Sequence, residues 1–201
     1  MVDQKTISYY ENHTEEFVSR TIGADMSFCR NKFTGLLPAG AYILDAGCGS
    51  GRDSRCFLEQ GFLVRAMDAS AEMCRTAQAY LGQPVDCMRF DELGGECVYD
   101  GVWACASLLH LKKSELPGVL AVLCRALKPG GILYASVKYG RNEEERLGRF
   151  FSDYSMEELT RVFLKDGKFE LIECFETEDV REDYKKKPWV NILVRKSVPS
   201  Q

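Results

Sequence analysis

Residues 42–51 read Y-I-L-D-A-G-C-G-S-G. An apolar run ends on a carboxylate, Asp45, and glycines follow at 47, 49 and 51. Y-I-L-D-A has the apolar run and short length of a buried strand. Alternate glycines just past a strand let the backbone turn tightly and come close to whatever lies beyond the strand end. This stretch sets the frame for the rest of the chain.

Working outward, apolar runs alternate with helical ones. S-R-C-F-L-E-Q (54–60) reads as a helix, F-L-V-R-A-M-D (62–68) as a strand, and A-E-M-C-R-T-A-Q-A-Y-L (71–81) as a helix. V-D-C-M-R-F (85–90) reads as a short strand and Y-D-G-V-W-A-C-A (99–106) as another. The helix L-P-G-V-L-A-V-L-C-R-A-L (116–127) and the strand G-I-L-Y-A-S-V-K-Y (131–139) follow. This alternation predicts βαβ units and an α/β, Rossmann-like, mainly parallel sheet with helices on both faces. Upstream, residues 5–35 have amphipathic helical patterning, divided near Gly23 and Asp25 into two helices. Downstream, R-N-E-E-E-R-L-G-R (141–149) reads as a charged loop or short helix. Ser155 suits the N-cap of M-E-E-L-T-R-V-F-L, with Glu158 completing a capping box. F-E-L-I-E-C-F-E (169–176) and W-V-N-I-L-V-R (189–195) are expected to pair as a closing antiparallel hairpin around the acidic-then-basic loop 177–188, whose Lys185, Lys186 and Lys187 read as solvated.

A chain of 201 residues, 45% hydrophobic and 28% charged, fits a single globular domain. The formal net charge of −4 argues against nucleic-acid or anionic-membrane binding, which needs a basic face. No apolar run approaches a membrane span, and the N-terminus lacks a signal core. Nine cysteines without a C-x-x-C spacing read as reduced, mostly buried thiols, and two histidines far apart in sequence leave little for a metal site. A cytoplasmic protein, monomeric or weakly dimeric, is expected.

In an open α/β sheet, ligands sit beyond the carboxyl ends of the strands where strand order reverses. Asp68 ends the second strand 21 residues after Gly47, where a carboxylate can accept hydrogen bonds from a ribose diol. Two nucleoside ligands compete. A dinucleotide fingerprint is G-x-G-x-x-G. Here the spacing is G-x-G-x-G, with Arg at position 52, which favours a ligand without a phosphate. Asp45 then has a purpose as partner to an ammonium group. S-adenosylmethionine meets both conditions.

The motifs I-L-D-A-G-C-G-S-G, M-D-A-S (67–70), Y-D-G-V-W-A-C-A-S-L-L-H (99–110) and L-K-P-G-G (127–131) together resemble the class I S-adenosylmethionine-dependent methyltransferases over roughly residues 35–195. G-S-G-R-D-S (49–54) further resembles the tellurite-resistance-related branch. The resemblance implies a seven-stranded sheet with its last strand antiparallel. It implies that Gly47, Cys48 and Gly49 back the methionyl moiety, with Asp45 and Arg52 beside it, and that Asp68 takes the ribose. It places Ala69 and Met73 near the adenine, Asp91 at its amino group with Phe90 beside the ring, and the carbonyls of 104–106 (Ala104 and Ala106 included) toward the methionyl amine. Tyr10 would lid the cofactor. In domain terms, 1–36 would form a helical lid, 37–140 the cofactor-binding core, and 141–201 the substrate-side segment and closing hairpin. The chain lacks the N/D-P-P-Y type of motif, so DNA and protein amino groups are unfavoured acceptors and a small molecule is expected.

For the acceptor side, the residues offer His110 and Tyr139 as candidate bases, and Arg149 with Arg141 as partners for an anion. The stretch 138–154, with its aromatic Phe150 and Phe151, would cover the acceptor together with the helix around Tyr10. Trp189 reads as hairpin packing. Two other functions stay open on the residues: a non-catalytic S-adenosylmethionine sensor and an NAD-dependent oxidoreductase.

Overall fold

The computed structural model describes residues 3–180 and 188–198. The chain runs α1 (Gln4–Asn12), α2 (Thr14–Thr21), α3 (Ser27–Thr34), β1 (Tyr42–Ala46), α4 (Arg52–Glu59), β2 (Leu63–Asp68), α5 (Ala71–Leu81), β3 (Asp86–Cys87), β4 (Tyr99–Cys105), α6 (Leu116–Ala126), β5 (Leu127–Lys138), β6 (Glu143–Arg146), β7 (Arg149–Ser152), α7 (Met156–Leu164), β8 (Phe169–Thr177) and β9 (Trp189–Lys196). Seven strands form one sheet in the order β3-β2-β1-β4-β5-β9-β8. The pairs among β1–β5 are parallel, and β9 runs antiparallel to both of its neighbours.

Apolar residues alternate across this sheet so that both faces are dry, as a sheet sandwiched by helices requires. Leu44, Val102, Ala104, Leu133 and Val194 join one core with Leu120 and Leu123 of α6 and Leu159 and Phe163 of α7. Ile43, Trp103, Ile132, Tyr134 and Leu193 face the other way, onto Cys29 and Phe33 of α3 and Phe57 of α4. Trp103 is fully buried and stacks on Tyr134 with ring centroids 3.9 Å apart. The polar tips of both rings find partners. The Trp103 indole N–H donates to Asp53 (3.0 Å), and the Tyr134 hydroxyl donates to Asn191 (2.7 Å).

The order reverses between β1 and β4. From β1 the chain winds out through β2 and β3; from β4 it winds the opposite way through β5. The crevice this creates lies at the ends of β1 and β4, beside residues 47–51 and 106–110.

Three local expectations change. The N-terminal region holds three helices, because the chain also breaks at His13, whose ring stacks on Tyr9 (4.2 Å) while the Thr14 hydroxyl donates back to the Tyr10 carbonyl (2.6 Å). Residues 141–149 are neither loop nor helix: β6 and β7 form a two-stranded antiparallel arm. Its turn is Leu147-Gly148, with φ of 50° and 77°. Two residues at positive φ match the right-handed twist of the flanking strands. Ser155 caps α7 by accepting the Glu158 amide (3.2 Å), but the Glu158 carboxylate pairs with Lys113 (2.8 Å) and does not return to the cap. The closing hairpin is present as β8 and β9. Most of its connecting loop, including Lys185, Lys186 and Lys187, lies outside the described residues. All nine cysteines are free thiols; Cys87 and Cys97 are exposed and only four are fully buried. Among the described residues, no helix is long and apolar enough to cross a membrane.

Candidate active site

A cavity of about 730 Å³ opens over the carboxyl ends of β1, β2, β4 and β5. Its floor is the glycine turn. Gly47 sits at φ +88°, and a Cβ there would lie 2.4 Å from the Cβ of Ser107. Ser107 in turn donates its hydroxyl to the Ala46 carbonyl (2.6 Å). The first glycine is therefore required by the protein's own packing across the switch point. Gly49 differs. At φ +54° its nearest neighbour would be a ring carbon of Phe17 at 3.7 Å, so its face toward the cavity is open. Its amide donates to Asp68 (3.0 Å), tying the turn to the end of β2.

Asp68 also accepts the Ser70 amide (2.9 Å) through its second oxygen. Burial pushes its pKa up, and the amides of Ser70 and Gly49 pull against that. With the Ala69 amide also acting on it, the carboxylate still has one more acceptor site than it has amide partners.

Asp45 is buried at the end of β1 and accepts the Ser54 hydroxyl (2.7 Å). Burial, followed by the charge of nearby Asp53, raises its pKa to about 7. Asp53 behaves oppositely. Burial works to raise it, but Arg52 (2.7 Å) and Arg30 (2.8 Å) outweigh that and hold it below the usual carboxylate range. Arg52 also donates to the Thr21 carbonyl (3.2 Å). This buried cluster fastens α2, α3 and α4 to Trp103 in the sheet.

The roof is built from α1 and the β6–β7 arm. The Phe150 amide donates to the Thr6 hydroxyl (2.9 Å), and Lys5 pairs with Glu145 (3.0 Å). Beneath them, His110 Nδ1 lies 2.7 Å from the Phe150 carbonyl. A carbonyl only accepts, so Nδ1 carries the proton and Nε2 accepts from the Tyr10 hydroxyl (2.9 Å). Burial lowers the His110 pKa to about 4, against the opposing pull of the Phe150 carbonyl, and the ring is neutral at pH 7. The Arg149 guanidinium lies over Tyr9 (4.4 Å), Phe151 (5.1 Å) and Tyr10 (5.7 Å).

The structure brings Tyr10, Asp45, Gly47, Cys48, Gly49, Arg52, Asp68, Ala69, Met73, Phe90, Ala106, His110 and Arg149 to this one cavity. Five expected residues do not line it, among them Phe150, which meets His110 and Thr6 through its backbone. Ala104 faces the α6 side of the sheet, leaving Cys105 and Ala106 to reach the cavity. Asp91 is exposed on a short 3-10 turn whose other face buries Phe90. Tyr139 is 46% exposed and bridges to Tyr154, because the residue before it on β5, Lys138, takes the inward position. Arg141 is exposed, ahead of the arm. Sequence reasoning missed a further group. Lys138 pairs with Asp179 (2.7 Å) and lies 3.8 Å over the ring of Trp189, whose indole N–H also donates to Asp179 (3.0 Å). All three line the cavity, so Trp189 is a wall of it, not just hairpin packing. The available signal was a lysine ending an otherwise apolar buried strand. Among the described residues, no cluster of His, Cys, Asp and Glu has the geometry to hold a metal ion.

Residues 43–131 match a protein family described as "Methyltransferase domain". The malonyl-[acyl-carrier protein] O-methyltransferase of Pectobacterium atrosepticum is 30% identical over 143 residues, which cover 61% of this chain and 53% of that protein. The ubiquinone biosynthesis O-methyltransferase of Xanthomonas axonopodis pv. citri is 30% identical over 111 residues, covering 50% and 44%. The chain thus spans about half the length of the curated relatives it matches. The 1,6-didemethyltoxoflavin-N1-methyltransferase of Burkholderia thailandensis, solved with 1,6-didemethyltoxoflavin and S-adenosylhomocysteine, superposes with a TM-score of 0.76 at 24% identity, covering 96% of this chain and 85% of that one. The fold is the Rossmann-like fold of the methyltransferases.

Proposed function

We propose that this chain, carrying a methyltransferase domain on a methyltransferase fold, is an S-adenosylmethionine-dependent methyltransferase acting on a small-molecule acceptor. The observation that carries this reading is the joint between Gly49 and Asp68. An open glycine face past β1 is tied to a carboxylate with acceptor capacity to spare at the end of β2 by a 3.0 Å hydrogen bond from the Gly49 amide, beside the switch point of the sheet. The residues present fit the cofactor. Asp68 would take the ribose hydroxyls, Met73 and Phe90 would pack on the adenine, and Asp45 would face the ammonium group. When bound, that cofactor supplies a methyl group on a positively charged sulfur, already activated for in-line displacement.

The chain's own contribution is then placement and exclusion of water. The roof of α1 and the β6–β7 arm covers the cavity, and neutral His110 can accept at Nε2 from a bound acceptor that displaces the Tyr10 hydroxyl. With a pKa of about 4, His110 is a weak base, which makes it a residue that orients an acceptor and does not strip a proton from it. Tellurite-resistance-related kinship rests on G-S-G-R-D-S alone. The Arg52, Asp53 and Ser54 side chains of that motif are engaged in fastening helices and holding Asp45, which accounts for the motif structurally.

The dinucleotide reading fits less well. The glycines run G-x-G-x-G, and Arg52 stands where the third glycine of a dinucleotide fingerprint would be. A sensor without turnover lacks a reason for the space beyond the glycine turn, bounded by Lys138, Trp189, Arg146 and Arg149. Calorimetric titration with S-adenosylhomocysteine and with NAD, followed by methyl transfer to a panel of small acceptors, tests the reading. Tight NAD binding without S-adenosylhomocysteine binding would overturn it.

A further inference from the structure

The roof carries two arginines on either side of the Leu147-Gly148 turn, and both reach the cavity. They are not equivalent. Arg146 is engaged: although its Nε, like that of Arg149, makes no hydrogen bond, its guanidinium pairs with the buried carboxylate of Asp153 and with Glu144 (3.6 Å) and stacks on Phe151 (4.5 Å). Arg149 has no carboxylate within ion-pair distance among the described residues. Its Nη1 reaches only the Tyr10 hydroxyl, at 3.4 Å, and its Nε is shut off from solvent with no hydrogen-bond partner. Asp53 is committed to Arg30 and Arg52, Asp179 to Lys138, and Asp153 behind the arm to Arg146, while Asp45 and Asp68 line the cavity without forming an ion pair with Arg149. A guanidinium fixed between three aromatic rings, with an unused donor out of reach of water, is costly unless something else supplies the acceptor. A planar fork of this kind fits a carboxylate or phosphate. Phe151 beside it is apolar, as are Phe17, Leu109 and Leu147 in the lining of the same cavity.

We propose that the methyl acceptor is a small molecule with an apolar body and one oxyanion, a carboxylate or a phosphate, and that Arg149 binds that oxyanion. This rests on the methyltransferase reading, which places the cofactor's aminoacyl arm at the glycine turn and not under the arm of the roof. The competing source of the same chemistry is the cofactor's own carboxylate.

The test is calorimetric, on the full chain saturated with S-adenosylhomocysteine, using benzoate, phenyl phosphate and the neutral benzamide as probes. Benzoate or phenyl phosphate should bind roughly ten- to hundredfold more tightly than benzamide, as expected for a charge-assisted hydrogen-bond pair. Whichever anion wins identifies the group. Arg149→Ala should erase the difference and Arg149→Lys should keep part of it, while S-adenosylhomocysteine affinity stays within about twofold in each variant that melts like the wild type. Equal binding of benzamide and the anions, or no binding of either anion, overturns the proposal. So does a tenfold loss of S-adenosylhomocysteine affinity in Arg149→Ala, which would assign the guanidinium to the cofactor's carboxylate. Failure of the folded wild type to bind S-adenosylhomocysteine at all would remove the methyltransferase reading itself.

Discussion

Cofactor binding should release a proton near neutral pH, and Asp45 should be its source. The carboxyl is buried, has one hydroxyl partner, and carries a pKa raised from 3.8 to about 7 by burial and by the charge of Asp53. An ammonium group placed beside it favours the ionised form and pulls the pKa back down. The free protein is about half protonated at Asp45 at pH 7, so about half a proton should leave per ligand bound; the figure rises to roughly 0.9 at pH 6 and falls to roughly 0.1 at pH 8. His110, neutral across this window, adds nothing. Titrating S-adenosylhomocysteine calorimetrically in phosphate and in Tris at each pH reads the number directly, as the slope of observed heat against buffer ionisation heat. Asp45→Asn should bind more weakly and show no slope at pH 6–7. The same carboxyl sets a sign for stability. Its folded pKa lies above its unfolded value, so its contribution is complete below about pH 4 and is lost as pH rises through 7. The ligand-free protein should therefore weaken over that window, by at most a few kcal/mol, and Asp45→Asn should flatten the trend. A wild-type heat independent of buffer at pH 6–7, or an equal slope in Asp45→Asn, would refute the reasoning.

Other consequences can be checked one at a time. Asp68→Ala should weaken S-adenosylhomocysteine binding by roughly 1.5–3 kcal/mol. It should also lower the melting temperature of the free protein, because the Gly49 and Ser70 amides lose their acceptor; unchanged affinity in a folded variant would remove Asp68 from the site. Gly47→Ala should destabilise by more than about 3 kcal/mol, from a 2.4 Å clash and a left-handed backbone. Adding Ser107→Gly should recover part of that loss in denaturant titrations, and additive losses would show that the clash is not the cause. His110 should keep its neutral ring signals in nitrogen NMR from pH 8 down to about 5; a titration near 6.5 would contradict its buried, doubly bonded setting.

The sheet was legible in the sequence for a physical reason. Strands buried on both faces must be apolar throughout, and the stretches around Ile43, Val102 and Leu133 have no other stable reading. The placement of Asp45, Gly47 and Asp68 along one cavity was legible as well, because all three sit at fixed offsets from the ends of neighbouring parallel strands. The β6–β7 arm was not. Its strands are mostly charged and exposed on one side, so no apolar period marks them. The one local signal, Gly148 as second residue of a two-residue turn, follows a leucine held at positive φ, where asparagine, aspartate or glycine is the usual choice. The misplacement of Tyr139 and Arg141 follows from this. With the arm read as loop, every residue after β5 was an equal candidate for the acceptor side. Once Arg146 pairs with Arg149 across the turn, the register decides which side chains turn inward, and the inward set becomes Lys138, Arg146, Arg149 and Phe151.

The roof is also where fold and function meet most tightly. Thr6, Tyr10 and Lys5 of α1 each bond to or through the arm or to His110 beneath it, yet these are single bonds between small elements, with no shared apolar core of the size found under α6. Such contacts open at low cost while the sheet below stays closed. On the proposed reading, the acceptor enters under this roof. The Tyr10 hydroxyl already occupies His110 Nε2, so an acceptor hydrogen-bonded there must displace it. Tyr10→Phe removes the competitor but keeps the ring that packs on Phe17 (5.0 Å). Hydrogen exchange in α1 should then quicken relative to wild type, with the central strands unchanged. Unaltered exchange in α1 would mean that the ring packing, not the hydrogen bond to His110, holds the roof down.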